Sequence, residues 1–421
     1  MKRIYVPVRW KFVISIAIVF IYVVVCTIIE IPWWHELNVR VGPFIATLMI
    51  AGLAFFPGIM ISVTLTGILL DHPKRYGIVE DELEDVTILV AAYNEGKTIY
   101  DTLKSLSQQD YPQTVYIKVI DNNSKDNTKE EIRRAQADFP HAQIEYLFEG
   151  TQGKFAALNH ALTLTNTKYV MTIDADTYLY KDAIKIITNH MTQENKNKQV
   201  GAVAGAVLVK NSRVNVLTKM QEWEYFLSIA NIKRCQGLFQ SVLVAQGAFS
   251  IYDTALLKEI GGWKDSIGED IVLTWEILSR GYVTHYEDRA ISFTNAPTQF
   301  SIFSRQRARW ARGMIEGFRH FSFKRCTSPY AKFFIFCDLF LFIIDFSITL
   351  FYIPGMVAFI FLHDFIIAGP MTLILFPITL AMFLIMYIVE YNHVFKPLGL
   401  HVRKHYLSLV IFILSYSILT L

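Results

Sequence analysis

Cysteine is scarce and scattered: the 421 residues hold four, Cys26, Cys235, Cys326 and Cys337. The sequence contains no CxxC pair and no Cys/His cluster, so neither a zinc site nor a disulfide framework is indicated. Net charge is almost absent as well. A balance of +3 gives no global basic field, which argues against nucleic acid as a partner. Internal repeats and low-complexity tracts are missing. Charged residues make up 18% of the chain, hydrophobic residues 53%, and the mean hydropathy is +0.33. That is too apolar for an ordinary soluble protein and too charged for a bundle of membrane spans alone. A membrane protein with one inserted soluble domain satisfies both figures.

The apolar residues are gathered into runs. A helix needs about 20 such residues to cross the hydrocarbon core. Residues 11–29, KFVISIAIVFIYVVVCTII, meet that after Lys11, and 43–70 meet it again. Trp33, Trp34 and His35 fall between them, where interfacial aromatics sit. No small-residue cleavage site follows the first run, so it reads as an anchor rather than a removed signal. Residues 1–70 are therefore expected to form two N-terminal spans. Residues 332–421, with apolar runs at 332–362, 370–390 and 405–421, are expected to form about three more. The run 332–362 is long for one span and contains Pro354. It is either one kinked helix or an interfacial helix followed by a span. Asp338 and Asp345 within it lie about two turns apart, on nearly the same face. They either line a path through the bundle or face cytoplasmic water from a flat interfacial helix.

Basic residues near the runs set the orientation. Lys2, Arg3, Arg9 and Lys11 precede the first, and Lys74 and Arg75 follow the second. Lys324, Arg325 and Lys332 precede the third, and Lys396, Arg403 and Lys404 precede the last. On the other side only Arg40 stands between spans. The N-terminus and the region 71–331 are accordingly expected in the cytoplasm of a multi-pass protein in the plasma or inner membrane. Roughly 260 residues are ample for one packed α/β domain.

That region opens with DVTILVAAYNEGKTIYDTLKSLSQQDYPQTVYIKVIDNNSKDNT. Residues 86–92 are apolar and β-prone without a polar face, as in a buried parallel strand. A helical pattern follows (Ile99, Leu103, Leu106) and stops before Pro112; then TVYIKVI predicts a second strand ending just before Asp121. This is a βαβ unit, and further strands are predicted at 143–148, 168–173 and 201–209. Ligands bind at the carboxyl ends of strands in such sheets. Three polar clusters fall there: Tyr93-Asn94-Glu95, Asp121-Asn122-Asn123 and Asp174-Ala175-Asp176. Taken singly each reads as a turn or cap, and for Asp121 alone a cap is favoured. Two carboxylates one residue apart can also reach Mg²⁺ or Mn²⁺ together with substrate phosphates. Lys154, after Gly153, is either a solvated surface lysine or a point charge for a phosphate. In GGWKDSIGEDIVLTWEI (261–277), Asp270 opens an amphipathic helix. It is a helix cap, a general base, or both, with Glu269 a second base candidate or a first-turn charge.

In their order, AAYNE, DNNSKDNT, GKFAALN, DAD, GAFSIYD, GED and QRARW resemble a membrane-embedded family 2 glycosyltransferase with a GT-A fold, over roughly residues 85–421. Gln306, Arg309 and Trp310 match the Q-x-x-R-W signature of the processive synthases of cellulose, chitin, hyaluronan and poly-N-acetylglucosamine. The stretch from GGW to QRARW is most similar to bacterial poly-β-1,6-N-acetylglucosamine synthases. Two positions depart from the pattern: Asn122 stands where a second Asp is usual, and GED replaces the common TED.

The resemblance implies an α/β class, with a cytoplasmic GT-A domain (a Rossmann-like mixed sheet, 71–298) between the N-terminal and C-terminal spans. An interfacial amphipathic helix region at 299–331 carries QRARW. It implies a UDP-sugar donor, held at uridine by Tyr93, Glu95 and Asp121 and at the diphosphate by Asp174 and Asp176, with Asp176 the ligand of Mg²⁺ or Mn²⁺ and Lys154 near a phosphate. Asp270 would be the base and Trp310 would stack on the acceptor sugar. On a helix, Phe303, Trp310 and Met314 share one face and Arg305, Arg309 and Arg312 another. Such a helix lies among inner-leaflet headgroups, while Arg309 and Gln306 turn to the diphosphate, where a planar guanidinium suits bidentate contact.

The expected activity is inverting, processive polymerisation of N-acetylglucosamine into an exported β-linked polysaccharide. Synthases of other specificity, or a single-transfer polyprenyl-phosphate sugar synthase, are the nearest alternatives; the latter does not characteristically carry QxxRW. A transporter or binding module with a degenerate nucleotide fold would lack Asp176 and Asp270. The expected partners are the donor, the growing polysaccharide and the lipid bilayer, with no nucleic acid. The sequence stops at Leu421 inside an apolar run, and five spans leave that end outside. Either a cut chain or a small accessory membrane protein that completes the bundle is expected.

Overall fold

The computed structural model describes residues 6–70, 76–196, 198–321, 325–367, 369–400, 407–409 and 411–412. The chain forms two compact units. One is Lys74–Phe226 with Gln240–Lys332; the other is Met1–Pro73, Leu227–Phe239 and Phe333–Leu421.

The first unit is built on a mixed sheet of β1 (Val86–Ala92), β2 (Val115–Asp121), β3 (Gln143–Phe148), β4 (Tyr169–Ile173), β5 (Tyr178–Leu179), β6 (Val200–Val209), β7 (Phe249–Asp253) and β8 (Val283–Thr294). Their order across the sheet is β3-β2-β1-β4-β7-β6-β8-β5. The pairs β3–β2, β2–β1 and β1–β4 are parallel, and β7 runs antiparallel to both β4 and β6. β8 is parallel to β6, and β5 pairs with it antiparallel.

The absence of a polar face on β1 has a plain cause. Ile88, Val90 and Ala92 enter one core with Ile99, Leu103 and Met171, while Leu89 enters another with Val170 and Tyr252. Successive side chains point to opposite faces, and both faces are covered.

The five strands expected from apolar runs all form, at most one residue from the expected limits. Three others were not legible. β5 is only two residues long. β8 reads THYEDR near its start, yet His285, Glu287 and Asp288 are buried. Its register against β6 jumps from Gly205↔Glu287 to Ala206↔Ile291, a bulge that hides the alternation.

Two helices complete the frame of the site. Glu269–Ser279 is capped by Gly268, so Asp270 lies inside the first turn and not at the cap. Phe300–His320 carries QRARW. Its buried residues are Phe303, Arg307, Gly313 and Gly317, whereas Arg305, Arg309 and Arg312 are exposed.

In the second unit, Val8–Val41, Pro43–Leu70 and Pro329–Leu362 are long and apolar enough to cross a membrane by length and composition. The first runs past Pro32, so Trp33 and Trp34 lie within the helix and not in a connection. Pro329–Leu362 is a single helix with a π turn at Ile348–Tyr352 just ahead of Pro354, and Asp338 and Asp345 both fall on it. Gly369–Glu390 is a further helix. The last expected span, 405–421, lies outside the described residues apart from 407–409 and 411–412, which are helical. Within this unit Arg234 Nη1 meets Glu390 Oε2 at 2.7 Å, with both side chains buried. Glycines allow close approach: a Cβ at Gly58 would sit 1.8 Å from the Tyr22 hydroxyl.

Candidate active site

The register Ala92↔Asp121 brings the ends of β1 and β2 side by side, with β4 next to β1. The three polar clusters therefore share one edge. Asn94 (φ 56°) and Asn123 (φ 63°) turn the chain in the left-handed region, which Asn tolerates. Asn94 Oδ1 accepts from the Lys125 amide at 2.8 Å, which ties the first cluster to the second.

Asp121 is buried, and its carboxylate accepts from the Ser124 amide and the Tyr146 hydroxyl, both at 2.9 Å. Asn122 is committed differently. Its Nδ2 donates to the carbonyls of Glu149 (3.2 Å) and Thr151 (2.7 Å), while Oδ1 accepts from the Gly153 amide at 2.9 Å. A carboxylate could not donate those two bonds. The departure from the usual Asp thus has a local reason: Asn122 pins the loop that delivers Lys154.

Lys154, at the start of the helix Lys154–Thr163, is not a free surface lysine. Its Nζ donates to Asp174 Oδ1 at 2.6 Å and stands 3.5 Å from Glu269 Oε1. Desolvation alone would lower its pKa, but the charges of Asp174 and Glu269 outweigh this and raise it. Burial, with the charges of Asp174 and Glu95 nearby, pushes the Asp176 carboxyl up to about 6. Burial also raises Glu95, whose Oε2 accepts from the Thr98 hydroxyl at 2.7 Å. Glu95 thus faces the Asp174–Asp176 pair. Tyr93 is exposed at the end of β1.

Glu269 is pushed up to about 7, first by burial and then by Asp270, with Lys154 acting against both. Asp270 Oδ2 accepts from the Gly247 amide at 3.3 Å. Gly247 opens the GAFSIYD stretch. A Cβ there would lie 2.5 Å from Lys154 Nζ, so only glycine leaves room for the lysine between the carboxylates.

The QRARW helix docks on the turn that carries Asp270. A Cβ on Gly268 would fall 2.7 Å from the Gly313 carbonyl oxygen, so the two backbones touch. Glu316 Oε2 accepts from the Ser266 hydroxyl (2.9 Å) and the Ile267 amide (2.8 Å). Trp310 is 39% exposed, with its ring 6.4 Å from that of Tyr225. Burial raises the Tyr225 hydroxyl pKa; Arg307 opposes this, while Glu224, Asp176 and Asp174 add to it. Gln306 is half-buried, and Arg309 is exposed and makes no ion pair among the described residues.

The arginine that sequence periodicity overlooked is Arg307. Its Nη2 donates to Glu224 at 2.5 Å, and its guanidinium lies 4.1 Å from the Trp310 ring and 4.7 Å from that of Phe303. Nothing in the spacing separates it from the exposed arginines; its partner Glu224 lies on a helix more than 80 residues earlier.

Residues 84–313, more than half the chain, match a family described as glycosyltransferase-like family 2. The chain belongs to this family. A poly-beta-1,6-N-acetyl-D-glucosamine synthase of Staphylococcus epidermidis is 34% identical over 236 residues, 55% of either chain. The synthase of the same name from Staphylococcus aureus is 34% identical over 241 residues, 57% of either chain. The match therefore spans about half the length of these relatives. A mannosyltransferase from Pyrobaculum calidifontis, solved with GDP-Man and Mn²⁺, has the same GT-A fold. It gives a TM-score of 0.58 at 18% identity, covering 89% of this chain and 96% of its own. The family 2 assignment and the mixed sheet agree with the fold expected from the motifs.

Arg307→Ala would leave the buried Glu224 carboxylate without its guanidinium and strip the support under Trp310. The expected cost is about 3–5 kcal/mol of stability. Arg305→Ala, at an exposed position, should stay within about 0.5 kcal/mol. Thermal unfolding of both variants in detergent makes the comparison, and equal melting temperatures would contradict it.

Proposed function

We propose that this family 2 glycosyltransferase is an inverting, processive synthase that lengthens an N-acetylglucosamine polymer from a UDP-sugar donor. The observation that carries the proposal is the joining of Asp270 to the QRARW helix through the Gly268–Gly313 contact, beside Lys154 and Asp174. The names of the two staphylococcal relatives support the choice of sugar.

In this reading Tyr93, Glu95 and Asp121 hold the uridine. Asp176, with Asp174 and Glu95 crowded against it, offers an all-oxygen donor set suited to Mg²⁺ or Mn²⁺. The raised pKa of Asp176 fits a site whose like charges a cation would relieve. Held there, such an ion would supply positive charge beside the diphosphate. Arg309 and Gln306 turn to the diphosphate, and Lys154 stands ready to pair with a phosphate oxygen in exchange for Asp174.

Asp270 takes the proton of the acceptor hydroxyl as its oxygen bonds to the anomeric carbon from the face opposite the departing UDP. The electron pair of the broken C–O bond leaves on the diphosphate. One displacement inverts the centre, and no covalent intermediate is needed. Trp310, held from beneath by Arg307, presents its exposed face to the acceptor sugar. The apolar helices anchor the protein in the plasma or inner membrane with 71–331 cytoplasmic, and they carry the polymer outward. A small accessory membrane protein is a further proposed partner.

Incubating the purified protein with labelled UDP-sugars and sizing the products tests the whole reading. Long polymer from UDP-N-acetylglucosamine is expected. Turnover of UDP-glucose or UDP-glucuronate alone would overturn the choice of sugar, and a product of one sugar would overturn processivity.

Asp270→Asn keeps the shape and removes the base, so turnover should fall by roughly 10²–10⁴ with UDP still bound. Near-normal turnover would move the role to Glu269. Asp176→Ala should abolish activity and weaken Mn²⁺-dependent UDP binding; isothermal titration that finds unchanged affinity with and without Mn²⁺ would remove Asp176 from the cation.

A further inference from the structure

Away from the donor carboxylates, three buried side chains of the same unit converge. His190 and Glu194 lie one turn apart on the helix Ala183–Asn195 and so share a face. His285 comes from β8. A ligating atom from each of the three lies within 4.8 Å of the other two. The residues are 8%, 5% and 6% exposed in that order. Along β6 the partners of His285 and Thr294 are Val203 and Val209. Six residues of strand make about 20 Å, and Thr294 is the residue that hydrogen-bonds Asp176. This cluster is a second place, at the far end of the sheet.

The state of His190 is fixed by its neighbour. Its Nδ1 is 2.8 Å from Glu287 Oε2, and Glu287 is 2% exposed. Arg289 donates to the same carboxylate, Nε to Oε1 at 2.9 Å and Nη2 to Oε2 at 3.1 Å. An ionised carboxylate only accepts, so Nδ1 carries the hydrogen. Nε2 on the far side of the ring is buried and has no hydrogen-bond partner. Nε2 is therefore the ring nitrogen left for a ligand. The Tyr76 hydroxyl donates to Glu194 Oε1 at 2.6 Å and orients that carboxylate. The two imidazoles stand 5.3 Å apart at 61°.

We propose that His190, Glu194 and His285 bind a first-row divalent cation, zinc foremost, with Glu287 as the carboxylate that orients His190. Two imidazoles and one carboxylate are a zinc donor set, and a carboxylate behind a ligating histidine is its usual support. The hard cations suited to Asp176 prefer oxygen alone. A tetrahedral shell with bonds of 2.0–2.1 Å has edges of about 3.3 Å, so binding draws atoms that now lie within 4.8 Å of one another together by at most about 1.5 Å. The ion would clamp the helix Ala183–Asn195 to β8 next to the bulge. No CxxC or Cys/His spacing announces such a site, because His285 is distant in the sequence.

The test uses the full chain, without a histidine tag, stripped with EDTA in detergent and dialysed against zinc. Elemental analysis should find one zinc per chain in the wild type and in Asp176→Asn, and none in His190→Gln or His285→Gln. Glu287→Gln should bind zinc about 10–100-fold more weakly. Cobalt(II) in the wild type should give the intense visible bands of four-coordinate geometry, a reading that needs no variant to fold. The proposal is overturned by wild-type protein that takes up no zinc, by cobalt spectra of octahedral type, or by zinc lost in Asp176→Asn yet kept in His190→Gln.

Discussion

Like charge crowded at one sheet edge is the constraint on which the rest of this site depends. Glu95, Asp174, Asp176, Glu269 and Asp270 come from three separate segments, and the fold gains nothing by itself from bringing them together. Burial raises Glu95, Asp176 and Glu269, and the negative charges beside them add to it. What makes the arrangement tolerable is Lys154, held at 2.6 Å from Asp174 and 3.5 Å from Glu269. The lysine reaches that position because Asn122 fixes its loop and Gly247 leaves it space. Under the proposed function, a site in this condition is prepared for phosphate and cation. A diphosphate can replace Asp174 as the partner of Lys154, and a cation can replace the lysine as the partner of the carboxylates.

How legible was this in the sequence? The parallel half of the sheet was, because β1 and β4 are buried on both faces and read as nearly unbroken apolar runs, and β2, though interrupted by Lys118, is rich in β-branched residues. Their ends were legible for the same reason, since polar clusters directly after such runs have to fall on one edge. Beyond β4, only β6 was legible, and β5, β7 and β8 were not. β8 buries His285, Glu287 and Asp288, and a strand that buries charge looks like a loop. Individual partners were equally hidden. Arg307 and Arg309 differ by two positions, which is enough to turn one inward to Glu224 and leave the other exposed. Helical spacing assigns a face but not its neighbour.

Asn122 shows how a departure from a family pattern can be read once its neighbours are known. From sequence alone it was a missing carboxylate. In the fold it is an amide that donates two hydrogen bonds and accepts one, all to the backbone of 149–153. The same position therefore trades a charge for rigidity in the loop before Lys154. Asp121, buried and doubly hydrogen-bonded, keeps the charge next to it.

The contact between Gly268 and Gly313 bears on how base and acceptor stay aligned. With no side chain on either residue the two backbones meet directly, and Glu316 closes the joint by accepting from Ser266 and Ile267. Trp310 sits three residues before Gly313, and Asp270 two residues after Gly268. The proposed base and the proposed sugar platform are thus carried by one stiff piece, whereas Asp174 and Asp176 belong to the sheet edge. Repeated transfer requires the chain end to return to the same place relative to the base after every addition. A close backbone joint supplies that fixed relation better than interlocking side chains with rotamers of their own. Under the proposed processive activity, chain advance would fall to the Lys154 side, where the lysine already has two carboxylates within reach.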